Sequence, residues 1–111
     1  MSHISTVKVT VRKPVRRIVE RCFRHLEGYR HQISETDLVL VKKGLEHYPI
    51  SVLVTEDGIE LKGDSDVGLP GLQRDLHQAY VAEASREALT KQGYSVSVRR
   101  VNENLVLVGA Q

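Results

Sequence analysis

The feature that most limits what this chain can become is a change of hydrophobic period at Pro14. Before it, Val7, Val9 and Val11 alternate with Lys8, Thr10 and Arg12, the two-residue period of a strand with one buried face. After it, Val15, Ile18, Val19, Cys22, Phe23 and Leu26 fall at i, i+3, i+4, i+7, i+8 and i+11, one apolar stripe at about 100° per residue. Pro14 suits the first turn of a helix, where its missing N–H costs nothing, and Gly28 sits where a helix C-terminus takes a left-handed residue. The spacing predicts a strand over 4–11 and a helix over 14–27.

Residues 28–36 are polar and read as a loop. Leu38-Val39-Leu40-Val41 is a short continuous apolar run, the mark of a central strand, and Gly44 follows as a turn. Ile50 to Thr55 is another strand, and Asp57-Gly58 is a strong hairpin signal leading into Ile59-Glu60-Leu61-Lys62. A long helix runs from Leu69 or Pro70 to about Gln92, stopped by Gly93, with Leu72, Leu76, Tyr80, Ala84 and Ala88 in an i, i+4 row. Tyr94, Val96 and Val98 alternate with Ser95, Ser97 and Arg99 in a further strand, and the Asn102-Glu103-Asn104 turn leads to a last strand at Leu105 to Val108. The order is β-α-β-β-β-α-β-β. Short turns favour antiparallel neighbours, and two helices on one face of such a sheet bury the pattern most simply. The expectation is a single α+β domain over 1–111 with one mainly antiparallel, six-stranded sheet.

Composition fits that reading. Hydrophobic residues make up 41% and charged residues 27% of the 111, close to globular averages, so disorder is not expected. Aromatics are only 5% and Trp is absent, so the core has to be aliphatic. Cys22 is the one cysteine and no stretch is long and apolar enough to span a membrane. The start lacks a basic segment followed by an apolar run. Together these set the expectation of a cytoplasmic protein, or one of an organelle interior, without a membrane partner.

Net charge is +2, unevenly spread. Lys8, Arg12, Lys13, Arg16, Arg17, Arg21, Arg24 and Arg30 face only Glu20 and Glu27 in the first 31 residues, and the rest of the chain is net acidic. On the first helix Arg17, Arg21 and Arg24 fall within about 60° of one another, opposite the apolar stripe. Arg12, Lys13 and Arg16 extend the positive region to the helix start, where the dipole disfavours cations and an anion would be welcome. Glu20, four residues before Arg24, offsets some of the repulsion. These six cations are the candidate binding face, for a phosphate backbone or an acidic partner. The competing reading is a solvated face, the commoner origin of such runs. No aromatic is interleaved with the arginines, and Tyr29, beside Arg30 and His31, is the nearest ring that could stack a base.

Other chemistry is sparse. His3, His25, His31, His47 and His77 make no metal-site spacing, so no metal and no cofactor is expected. Cys22 lies on the apolar stripe and reads as a buried structural thiol. Asp64-Ser65-Asp66 lacks the remaining ligands of a calcium loop and reads as a turn that caps the second helix. His77 and Tyr80 are candidates for the edge of a pocket, Tyr80 more as core with its hydroxyl at the rim. No nucleotide-binding loop, nucleophile elbow or catalytic constellation is legible.

The start Met1-Ser2-His3-Ile4-Ser5, the helix segment Gln78-Ala79-Tyr80, the exit Lys91-Gln92-Gly93-Tyr94 and the strand-turn-strand pattern up to Val108 resemble the hypothetical chloroplast open-reading-frame thirty-five family, whose bacterial relatives form a domain of unknown function. The likeness covers both ends, and the middle is poorer in aromatics than the family pattern. The resemblance implies a small cytosolic or plastid protein of unassigned activity, and it carries over no catalytic residue. Three functions therefore compete: a binding or adaptor module for a protein partner or a second copy, a nucleic-acid-binding domain using the basic helix, and an enzyme without a recognised motif.

Overall fold

Five strands, four of them with one apolar face, form a single antiparallel sheet in the computed structural model, which describes residues 3–110. Met1 and Ser2, the opening of the segment on which the resemblance partly rests, lie outside the described residues, as does Gln111. The elements are β1 (Ile4–Thr10), α1 (Arg16–Cys22), β2 (Tyr29–Ile33), β3 (Leu38–Lys42), β4 (Ile50–Thr55), β5 (Gly58–Asp64), α2 (Leu69–Lys91), β6 (Ser95–Val101) and β7 (Asn104–Ala110). The sheet order is β1-β5-β4-β3-β2, and β6 and β7 make a separate two-stranded sheet. The protein is thus α+β and mainly antiparallel, as its sequence pattern indicates.

Register explains the core. Val9 pairs with Ile59, Val7 and Val52 with Leu61, Leu38 with Val52, and Leu40 with Ile50, so these side chains share one face. That face meets Ile18, Val19, Cys22 and Phe23 from the first helical segment and Leu69, Leu72, Leu76, Ala79 and Tyr80 from α2 in one buried cluster. The opposite face carries Thr6, Lys8, Glu60, Lys62 and Ser51, with Leu53 57% exposed among them.

Four expectations are corrected. Residues 29–33, read as loop, are β2, a polar edge strand whose Tyr29 pairs with Lys42 of β3. The helix expected over 14–27 is shorter: α1 is seven residues and continues as a 3₁₀ turn at Phe23–His25. Its start moves past Pro14 because Lys13 takes a positive φ of 48° and gives its N–H to Glu56 O, while Val15 is extended.

The third correction is that the hairpin after β4 turns on Glu56-Asp57, since Thr55 pairs directly with Gly58. Gly58 lies in the strand instead, where a Cβ would sit 2.5 Å from Val9 O. Asp57 earns its place separately: its carboxylate meets Lys8 Nζ at 2.6 Å and accepts from Thr55 Oγ1, contacts that hold it below the usual carboxylate range.

The fourth is that the expected six-stranded sheet divides. Gln73 Nε2 of α2 donates to Lys8 O at 2.5 Å, so a helix side chain occupies a carbonyl of edge strand β1. The β6–β7 hairpin packs against α2 instead of joining the larger sheet.

Gly58→Ala tests the strand approach. Relief of unfolded-chain entropy would stabilise by about 0.4–1 kcal/mol, but the clash with a backbone oxygen costs about 1–3 kcal/mol. The clash wins, so the urea midpoint is expected to fall. A midpoint equal to or above that of the wild type would show that β1 and β5 can part freely at this point.

Candidate functional site

The six basic candidates do not form one free face. Arg16 turns to the β2–β3 connection, donating to the carbonyls of Ser34 and Glu35, and lies 3.4 Å from Glu20. Glu20 thus serves Arg16, four residues earlier, and not Arg24. Arg17 is taken by Glu87 of α2. Arg12, Lys13 and Arg24 are exposed and Arg21 is half-buried, and none of the four makes an ion pair among the described residues. Tyr29, the nearest ring in sequence, is half-buried, and burial and the Asp75 charge push its hydroxyl pKa up.

Between α1 and α2 lies a buried polar group that the sequence reading missed. Glu83 is 2% exposed, yet its carboxylate is held by Arg86 Nε at 2.9 Å and lies 3.4 Å from His25 Nε2. Its signal was present: an acid among Ala79, Tyr80 and Ala82 on the apolar side of the helix. Cys22 packs nearby, and burial, with Glu83 second, pushes its thiol up to about 12. A thiol so protonated and with no exposed surface is no nucleophile at neutral pH. Among the described residues no group of three or more His, Cys, Asp or Glu is placed to hold a metal ion.

The two pocket-edge candidates part company. Tyr80 is buried, and its hydroxyl accepts from Val15 N–H at 2.9 Å, closing the start of α1. His77 is exposed and borders two surface hollows. The one on the hairpin side, about 380 Å³, runs between α2 and β7 over Val81, Ala82, Leu105 and Leu107. A larger polar groove of about 750 Å³ lies at the hairpin tip, lined by Glu27, Arg74, Asp75, Gln78 and Arg100 with the tip residues. Its Arg100 is already spent on Glu27 and on the carbonyls of His25 and Glu103, contacts that tie the hairpin to the end of the first helical segment.

The hairpin edge is chemically distinct. β1 carries Lys8, β2 carries Arg30, and β6 carries Arg99 and Arg100, whereas Asn104 to Ala110 of β7 contains no charge and no proline. Exposed edges of monomeric sheets are commonly guarded by such residues. β7 pairs only with β6 among the described residues. Beside this edge Val81, Leu107 and Val108 are 50%, 38% and 43% exposed.

No family model, no curated protein and no solved structure matches the chain.

Tyr80→Phe removes the acceptor of the Val15 N–H and leaves that part-buried donor without its partner, a loss of about 1–3 kcal/mol. The expected result is a lower unfolding midpoint together with faster hydrogen exchange at Val15. An unchanged midpoint and exchange rate would remove the hydroxyl from the account of α1.

Proposed function

We propose that this protein is a non-catalytic docking module that binds a protein through the flank built by α2 and β7. The observation that carries the reading is the uncharged edge of β7 beside the apolar hollow of Val81, Ala82, Leu105 and Leu107. Backbone groups on an open edge supply directional hydrogen bonds, and neighbouring apolar side chains supply area that water leaves on contact. The nucleic-acid alternative rests on Arg12, Lys13, Arg21 and Arg24, since Arg16 and Arg17 are engaged within the fold. Tyr29, the tyrosine nearest to them in sequence, is half-buried.

The test is photo-crosslinking in extract of the native cell. A photoreactive phenylalanine derivative replaces Val81 in one preparation and Leu53, exposed on the open sheet face, in another. Discrete adducts are expected from position 81 and not from 53, and Leu107→Lys added in the same chain is expected to abolish them. Equal labelling from both positions, or adducts indifferent to Leu107→Lys, would overturn the reading. A salt-steep affinity for DNA or RNA, lost on Arg21→Glu with Arg24→Glu, would transfer it to the basic residues.

A further inference from the structure

We infer that the occupant of the β7 edge is a second copy of this chain, paired antiparallel about a two-fold axis at Leu107; the inference rests on the docking reading above and names its partner. Val101 pairs with Asn104 across the two-residue Asn102-Glu103 turn, with Asn102 at φ 57°. The residues closing such a turn exchange hydrogen bonds, and bonded and non-bonded pairs then alternate along an antiparallel ladder. Val106 and Val108 therefore bond to Arg99 and Ser97 of β6, while Leu105, Leu107 and Gly109 send N–H and C=O outward.

These outward groups are self-complementary. With the axis at Leu107, that residue exchanges both bonds with its own copy, and Leu105 exchanges both with the copy's Gly109. Every outward N–H and C=O of those three positions then finds a partner, and the result is a continuous sheet in the order β6-β7-β7-β6.

Charge and side chains favour the same register. No charged residue of β7 meets another across the axis, whereas a β6 edge would set Arg99 and Arg100 against their copies. On the face toward α2, Leu107 meets Leu107 with the two Val81 side chains flanking it. On the other face Val106 meets Val108, so exposed apolar residues of both faces are covered by one contact. An unrelated extended peptide would satisfy the backbone but has no such reason to be apolar on both faces.

The experiment combines sedimentation of the intact chain over a wide concentration range with two sets of variants. Wild type is expected to pass from monomer to dimer as concentration rises. Leu107→Lys, which sets two ammonium groups at the axis, is expected to stay monomeric with an unchanged circular dichroism spectrum. Bonded antiparallel partners lie about 5.5 Å apart at Cα, within the span of roughly 4.4–6.8 Å that a disulfide bridges. Leu107→Cys is therefore expected to form a disulfide-linked dimer on mild oxidation. Val101→Cys, 51% exposed but at the hairpin tip, is expected not to.

A strictly monomeric wild type that also yields no Leu107→Cys dimer would overturn the second copy. So would a dimer that withstands Leu107→Lys. In either case adducts from position 81 that contain a different protein would leave the docking reading standing, and their absence would end both.

Discussion

The fold depends on α2 having three partners at once. Its line of Leu69, Leu72, Leu76, Ala79 and Tyr80 closes the core over the five-stranded sheet. Its middle holds the first helical segment through Glu83 with His25, Glu87 with Arg17, and the Tyr80 hydroxyl with the Val15 N–H. Further along its surface Val81 and Ala82 border the hairpin residues Leu105 and Leu107. Burial of each large aliphatic side chain is worth about 1.5–3 kcal/mol, so the apolar line dominates the energetics. The polar contacts decide how α1 is seated. Glu83 shows the cost of doing this with charge: deprived of Arg86 and His25 it would be an uncompensated buried carboxylate, a loss of about 3–5 kcal/mol.

The hairpin packs on the same helix. α2 presents Gln73 to the Lys8 carbonyl, and a side chain stands where a sixth strand would have to bond. The last two strands are left to pair with each other, and Arg100 anchors their tip to Glu27 and to His25 O. A two-stranded ribbon has two open edges. On β6 arginines guard one, and on β7 nothing charged guards the other.

Much of the core was legible because period and burial agree: Val7 and Val9, Ile59 and Leu61, and Leu72, Leu76 and Tyr80 all lie where their spacing puts them. β2 was illegible because Tyr-Arg-His-Gln-Ile on a sheet edge is mostly solvated, so it lacks the apolar run that marks a central strand. The Asp57-Gly58 pair signalled a hairpin, but Gly58 is there for the approach of β1, a contact made across the sheet. The basic stripe was legible only in part, for a similar reason. Helical spacing put Arg17 with Arg21 and Arg24, but its partner Glu87 lies 70 residues away, and Arg16 reaches carbonyls 18 and 19 residues away. Which arginines stay free is a tertiary question. The candidate docking edge was half legible: its apolar residues were plain at 105–108, while its openness depends on the hairpin standing apart from the larger sheet.

The most direct measurement is backbone hydrogen exchange along β7, read residue by residue by NMR in dilute and in concentrated protein. The amides of Val106 and Val108, bonded to β6, should be protected in both samples. Those of Leu105, Leu107 and Gly109 should exchange quickly when dilute and become protected when concentrated. Equal exchange of those three amides at both concentrations would contradict the account, because the open edge would then have no second copy upon it.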